Sequence, residues 1–385
     1  MQARYFLKDG GIRVDKVRVG IIGLGNMGIK YAKAISSGEV KGAVLAAICI
    51  RNPERFEWVK QTFGDKVQLY SNEEDFFEQA DMDGVLISTP HYDHPEMAMK
   101  AFKNGLHVLC EKPAGVYTKN VRDMNDVAEK SGKVFSMMFN QRTNPLYQKV
   151  RELIRSGELG EIKRTNWTVT DWYRTQSYYD SVAWRGTWAS DGGGVMLNQS
   201  PHQLDLWQWI TGMMPVRVRA FCGFGKYRDI EVEDDVTTYV EYENGATGLF
   251  VTSTGEAPGT NRFEIVGDQG KIIVEDNKIT FWRLLQPESE FNLENTVSSG
   301  RPEYRKINVA FTGEATQHVG IMNNWVDAII NGVDLLAPGK EGIKSLTISN
   351  AVYLSSWTDG WVELPIDEDL YYEKLQDKIN KSSIN

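Results

Sequence analysis

Cysteine is scarce in this sequence: Cys49, Cys110 and Cys222 are the only three among 385 residues. Three thiols make no disulfide framework, and their spacing fits no zinc motif, so no metal is expected. Cys49 and Cys110 lie inside apolar runs, where a thiol acts as a small hydrophobe. That usage suits a reducing, cytoplasmic setting. Long hydrophobic runs are missing too; none approaches the roughly 20 apolar residues of a membrane-spanning helix. The opening "MQARYFLKDGGIRVDK" has no apolar core and reads as a lead-in arm over residues 1–16, not a signal peptide. Basic blocks are absent and the formal charge is −9, which excludes a nucleic-acid partner from the expectations. What remains is an ordinary globular mix, 41% apolar and 25% charged, in a chain long enough for two domains.

The first 140 residues alternate short apolar runs with helical patterns. The runs are "VRVGII" (17–22), "AVLAAICI" (43–50), "VQLY" (67–70), "GVLIST" (84–89), "HVLC" (107–110) and "KVFSMMF" (133–139). Most are apolar without alternation, as strands covered on both faces are. Helical patterning fills 26–37, 53–64, 72–80, 95–104 and 119–131. Strand–helix repetition of this kind predicts an α/β fold with a doubly wound parallel sheet. After residue 141 a helix is expected over 144–160. From about 214 the runs alternate polar and apolar around "ENG" and "DQG" turns, which predicts an antiparallel sheet with one covered face. Two late helices are expected near 316–331 and 340–357.

"VGIIGLGNMGIKYAKAI" places Gly23, Gly25 and Gly28 in G-x-G-x-x-G spacing, after a strand and at the start of a helix. In that context the pattern points to dinucleotide binding. The first glycine makes the turn, the second admits a pyrophosphate, and the third lets helix and strand pack closely. Leu24, Asn26 and Met27 complete the loop, whose helix N-terminus offers free N–H groups to phosphates. Where an acid would select NAD at the end of the second strand, the chain has Ile50, Arg51 and Asn52. With no carboxylate to repel a 2′-phosphate, Arg51 inclines the reading toward NADP. Arg51 stacking on adenine or facing solvent is the alternative.

Two further stretches invite a chemical reading. In "GLHVLCEKPAG" (105–115) an apolar strand ends at Lys112, with Pro113 fixing the backbone behind it. The lysine is either a solvated loop residue or an amine held still. His202 follows Gly192–Gly194 and opens "PHQLDLWQWI", with Asp205 one turn on and able to orient the ring. It is either a buried helix-start histidine or a group facing a ligand.

The glycine loop, "STPHYDH" (88–94), "CEKPAG" (110–115) and "GGGVMLNQSPHQLD" (192–205) together resemble the Gfo/Idh/MocA oxidoreductases. That family includes glucose–fructose oxidoreductase and inositol dehydrogenases, and the resemblance runs to "VELP" at 362–365. It implies an N-terminal Rossmann domain, residues 1–140. A C-terminal α/β domain, 141–385, would carry a large, mostly antiparallel open sheet for substrate binding and oligomerisation. It also implies a nicotinamide cofactor, NAD or NADP, a small sugar or polyol substrate, and a homodimer or homotetramer. Carried over residue by residue, Lys112 matches the lysine beside the reacting carbon, and His202 the histidine assigned as acid/base. A cis bond before Pro113 is implied as well. Inositol-dehydrogenase-like members have an aspartate four residues before that histidine; here the position is Asn198, an amide that cannot take a proton. The resemblance further implies cofactor contacts at Thr89, Pro90, His94, Glu111, Lys112, Gln141, Trp184 and Arg185; His94 is read near the nicotinamide ribose or the substrate, or as a helix-start residue, and Trp184 and Arg185 as facing cofactor or substrate. Substrate contacts would come from Lys112, Arg142, Tyr178, Asn198, His202 and His318.

Oxidising a secondary alcohol needs the substrate held for hydride transfer and a group to take the hydroxyl proton. An ammonium beside an oxidised nicotinamide is expected to have a lowered pKa and to hydrogen-bond the reacting oxygen. The crowded aromatics of 167–188, Tyr178 among them, suit sugar C–H faces, plain core or subunit contact. His318 is read as a substrate contact or as a helix cap. The expected function is an NAD(P)-dependent dehydrogenase acting on a ring hydroxyl of a sugar, glycoside or cyclitol. The alternatives are a redox-neutral NAD-dependent glycoside hydrolase working by oxidation and elimination, and a non-enzymatic cofactor-binding sensor. Retention of both Lys112 and His202 argues against the sensor.

Overall fold

The computed structural model describes residues 6–8, 11–13 and 16–382. The lead-in arm expected over 1–16 lies partly outside them; its described parts, β1 (Phe6–Lys8) and β2 (Gly11–Arg13), pair antiparallel. The described chain forms two compact units, one of residues up to 143 plus 315–343, the other of 144–314 plus 344 onward. The sequence suggested one crossing near 140; the chain instead returns to the first unit for one helix.

The first unit is built on six strands in the order β5-β4-β3-β6-β7-β8. These are β3 (Val17–Ile22), β4 (Ala43–Cys49), β5 (Gln68–Tyr70), β6 (Gly84–Ile87), β7 (His107–Cys110) and β8 (Phe135–Met137). Every pairing is parallel. All four residues of β6 are buried, as a strand covered on both faces requires. Helices follow the strands at Asn26–Ser36, Phe56–Phe63, Glu73–Gln79, His94–Lys103 and Thr118–Ser131. Two asparagines act as caps: Asn52 accepts from Glu54 N at 2.9 Å in the 3₁₀ turn Pro53–Arg55 that leads into Phe56–Phe63, and Asn72 accepts from Asp75 N at 2.8 Å at the start of Glu73–Gln79. The returning helix, Gln317–Asn331, buries Trp325 against Gly84, where a Cβ would stand 2.9 Å from the indole. A glycine at the start of β6 is thus a packing requirement of a helix more than 200 residues later.

The second unit is a nine-stranded sheet, β16-β15-β14-β13-β9-β12-β11-β10-β17. Its strands are β9 (Ile162–Val169), β10 (Pro215–Phe224), β11 (Glu233–Tyr242), β12 (Thr247–Ser253), β13 (Asn261–Gly267), β14 (Gly270–Glu275), β15 (Lys278–Leu284), β16 (Tyr304–Val309) and β17 (Val362–Glu363). All pairs are antiparallel except β12 with β9. β9 was not expected, yet it sits mid-sheet and buries Thr165, Trp167 and Val169 in alternation. On the covered face Trp167 stacks on Phe263 with centroids 4.3 Å apart, and Trp207 on Phe250 at 5.4 Å. Elsewhere on the sheet Phe221, Tyr239 and Tyr304 are exposed, as is Trp361 just before β17. No helix among the described residues is long and apolar enough to cross a membrane.

Candidate active site

On the first unit, β3 delivers the glycine loop. Gly23 has φ +90°, and a Cβ there would meet the Ser88 carbonyl at 2.6 Å. A Cβ on Gly28 would meet the Gly23 carbonyl at 2.1 Å, whereas one on Gly25 would meet nothing within 4 Å. Turn, open approach and close packing thus fall on the three glycines in the expected order. Gly25 and Asn26 are exposed, and Gly25 caps helix Asn26–Ser36 without a side-chain hydrogen bond. A pyrophosphate fits this edge, which has both room and N–H donors. Ser88 Oγ donates to the Gly23 carbonyl at 2.6 Å, and Arg55 NH1 to the Leu24 carbonyl at 3.0 Å. Arg51, at the end of β4, is 84% exposed and lies 3.7 Å from Asp93. Burial raises the Asp93 carboxyl, and the Arg51 charge opposes that rise.

Lys112 follows β7, and its bond to Pro113 is cis. The strap that carries it is tied from two sides. His94 is buried, with Nδ1 2.7 Å from the Pro113 carbonyl and Nε2 2.9 Å from the Thr89 carbonyl. A neutral imidazole has one N–H, so it donates to one of these oxygens at a time. Burial lowers the His94 pKa, the two carbonyls acting in the opposite sense. His94 therefore links the loop after β6 to the loop after β7. Below the lysine lies Glu111, also buried, whose Oε2 accepts from Lys112 N at 3.0 Å. Its Oε1 accepts from the buried Tyr31 hydroxyl. Burial raises the pKa of both groups. His318 stands close by, its ring 5.7 Å from that of Tyr31. Burial, then the charges of Lys30 and Lys112, push it down to about 4, so near neutral pH it is an uncharged imidazole.

Other expected residues on this unit are placed differently. Arg142 is fully buried in an ion pair with Glu341, and NH1 also donates to the Leu336 carbonyl at 3.1 Å. Gln141 is half-buried beside it. Pro90 accepts from Asp93 N at 3.0 Å and shapes the turn into helix His94–Lys103.

On the second unit the segment Val195–Gln199 is a π-helical turn leading into helix Pro201–Thr211, whose second residue is His202. π-helical turns mark places where a regular helix has given way to another demand. Here the demand is visible: Glu233, fully buried on β11, accepts from Gly194 N and Met196 N, both at 2.9 Å, and from Tyr353 Oη at 2.8 Å. Burial raises Glu233 to about 7 against the pull of these three donors. Gly193 and Gly194 permit the fit, since Cβ atoms would stand 2.3 Å from the Tyr353 hydroxyl and 1.9 Å from the Glu233 carbonyl. Asn198, within the turn, donates Nδ2 to both oxygens of the buried Asp191, at 3.0 and 3.2 Å. The Asp191 carboxylate also accepts from Gly186 N at 3.1 Å. The amide at 198 thus has a carboxylate as a direct neighbour, and its orientation is set with the nitrogen toward Asp191.

Tyr178 accepts from Gln199 Nε2 at 3.4 Å and carries the Arg185 guanidinium 4.2 Å from its ring. Trp184 lies 5.3 Å from the same guanidinium. Asp205 is buried one turn beyond His202 and accepts from Gln208 Nε2 at 3.1 Å. Tyr31, Asp191 and Glu233 were not anticipated as site residues. Tyr31 had a signal, being one turn after Gly28 on the buried stripe of its helix; Asp191 and Glu233 gave none beyond an acid beside glycines or in a strand.

The fold and these loops define a two-unit nucleotide-dependent oxidoreductase. A family model described as "Oxidoreductase family, NAD-binding Rossmann fold" matches residues 17–139, and one for the GFO/IDH/MocA C-terminal domain matches 147–273. The chain belongs to the Gfo/Idh/MocA oxidoreductases. It is 24% identical to levoglucosan dehydrogenase of Pseudarthrobacter phenanthrenivorans, over 91% of this chain and 99% of that one. With inositol 2-dehydrogenase of Rhizobium meliloti it shares 23% identity, over 88% and 96%. The crystal structure of the WlbA dehydrogenase from Bordetella pertussis with NADH and UDP-GlcNAcA matches with a TM-score of 0.76 and 26% identity, over 91% and 100%.

Proposed function

We propose that the protein is a dehydrogenase that transfers hydride between NAD and a ring hydroxyl of a sugar, glycoside or cyclitol. The observation that carries this is the strap at Glu111–Pro113, on the same unit as an open glycine loop and tied by His94 and Glu111. NAD, when bound, supplies the hydride acceptor. Gly23, Gly25 and Gly28, with the N–H groups of Asn26 to Gly28, would hold its phosphates. Lys112 binds the reacting hydroxyl and steadies the charge that develops on its oxygen. His202 takes the hydroxyl proton in oxidation and returns it in reduction. Asn198 orients the substrate and takes no proton, since an amide does not titrate in this range. Glu111, Tyr31 and His94 keep Lys112 in position.

The finer cofactor reading follows the end of β4. No acid stands at Ile50, Arg51 or Asn52, and Asn52 is engaged as a cap, which leaves Arg51 to meet the adenosine ribose. We therefore include NADP among the cofactors the protein accepts. Homodimer or homotetramer formation through the exposed aromatics of the nine-stranded sheet, and a cytoplasmic setting, complete the reading.

The test is nicotinamide absorbance near 340 nm with NAD and with NADP, across free sugars, cyclitols and glycosides. Sustained growth of the reduced band with one class is the expected outcome. Release of an aglycone without net reduction would overturn the dehydrogenase.

A further inference from the structure

We infer that Asp191 is a specificity-determining positioning residue: it turns the amide of Asn198 so that the amide oxygen meets the substrate, and the enzyme therefore requires a free hydroxyl beside the one it oxidises. From Asp191 to Thr211 every residue is buried except Asn198 and His202. They lie one turn apart, the spacing at which helical side chains are neighbours. This whole segment thus faces its surroundings with one amide and one imidazole. Asp191 is buried behind them, and its two oxygens accept from Asn198 Nδ2 at 3.0 and 3.2 Å. The carboxylate is itself steadied by Gly186 N at 3.1 Å.

A carboxylate only accepts, so the amide must give it the nitrogen, and Oδ1 is turned away from Asp191. An untethered amide flips to suit a donor or an acceptor. A tethered one offers its oxygen, and the substrate atom opposite must donate. The reacting oxygen does not qualify, because it has no proton once it is a ketone. The hydroxyl on a neighbouring ring carbon keeps its proton in both oxidation states. The substrate class is therefore a vicinal diol of a sugar or cyclitol. A deoxy or keto group at that neighbour leaves Oδ1 without its donor, and a site built around a hydrogen bond discriminates strongly against the analogue that lacks it. An aspartate at 198 would accept through either oxygen unaided; an asparagine does so only when turned, which is the part played by Asp191.

The inference rests on the dehydrogenase reading, and the experiment keeps the two apart. Rates at 340 nm are taken for whichever of glucose, methyl glucoside and myo-inositol the protein oxidises, and for its monodeoxy derivatives at the two carbons beside the oxidised one. For one of the two, wild-type kcat/KM should fall at least about 10²-fold below that of the parent. Losses of less than about 3-fold for both overturn the inference, a comparison that needs no variant to fold. Asp191→Asn should shrink the parent-to-deoxy ratio at least about 10-fold with NADH affinity unchanged; a ratio of this kind is insensitive to the fraction of protein folded. The double variant Asp191→Asn with Asn198→Asp puts the amide behind and the acceptor in front, and should restore most of the ratio. A ratio unchanged in Asp191→Asn, or a loss confined to NADH binding, overturns the inference. Oxidation of none of the three compounds counts against the dehydrogenase reading and leaves the tether to NMR: the Asn198 side-chain NH2 should be protected from hydrogen exchange in wild type and not in Asp191→Asn, and equal exchange in both overturns the tether.

Discussion

The two units hold their functional side chains by different means. On the first, backbone geometry does much of the placing: Gly23 turns, Gly28 packs against the Gly23 carbonyl, and Pro113 follows Lys112 directly, with buried Glu111 and His94 tying the lysine strap. On the second, buried carboxylates do it. Glu233 gathers the backbone of Gly194 and Met196, and Asp191 fixes the amide of Asn198. Backbone devices are local and resist substitution by steric exclusion. Buried polar devices join distant residues, and they respond to charge and to pH.

That contrast is open to attack from both sides. The largest effect is expected at the second unit's chemical residue: His202→Ala should lower kcat by about 10²–10⁴ with substrate binding largely kept, as stopped-time rate assays would show. Next come the paired glycine variants. Gly28→Ala forces a Cβ to 2.1 Å from a carbonyl and should destabilise the protein by roughly 1–3 kcal/mol in urea unfolding. Gly25→Ala meets no protein atom, so its unfolding should match the wild type while NAD affinity falls. Equal destabilisation by the two would remove the idea that Gly25 is there for a ligand.

Asn198→Asp is a third test. It sets a second carboxylate within hydrogen-bond distance of Asp191, and one of the two must keep a proton. Activity should drop about 10-fold and gain a dependence on acid pH, although the change restores the residue found in inositol-dehydrogenase-like members. Improved turnover would show that the amide is a defect and Asp191 irrelevant to it.

The pH response of Glu233 is subtler. Its folded value of about 7 lies above the ordinary 4.5, so between those limits the folded protein holds a proton that the unfolded chain has lost. Stability should therefore fall as pH rises from 4.5 to 7, by of order 3 kcal/mol at most, and level off above. Glu233→Gln should flatten that slope in thermal melts; an unchanged slope would assign it to other groups. Smallest of all, Arg51→Ala should change NAD affinity by no more than about 3-fold and NADP affinity by more, given an arginine so exposed.

Legibility in the sequence followed the kind of device and not the unit. Unbroken apolar runs gave β3, β4, β6 and β7 nearly to the residue, because strands covered on both faces need nothing else. β9 escaped, since "IKRTNWTV" carries its alternation on a threonine and a tryptophan between charged and polar residues. The return of helix Gln317–Asn331 to the first unit escaped as well. Its one trace was Gly84, which reads as an ordinary strand glycine until Trp325 is seen against it. Glycine loop and lysine strap were legible because each is a short motif. The support of Lys112 was not, since Tyr31 lies 80 residues from Glu111, nor was that of the turn that carries Asn198, since Glu233 lies 37 from Met196.

The most direct test of the account is a side-by-side measurement on Lys112→Ala and wild type: turnover of a substrate identified by the absorbance survey, and NADH affinity by fluorescence titration. A lysine held for chemistry predicts turnover down by at least about 10² while NADH affinity stays within about 3-fold. Surviving turnover, or a loss fully matched by weakened NADH binding, would contradict it and make Lys112 a cofactor contact or a simple strand end.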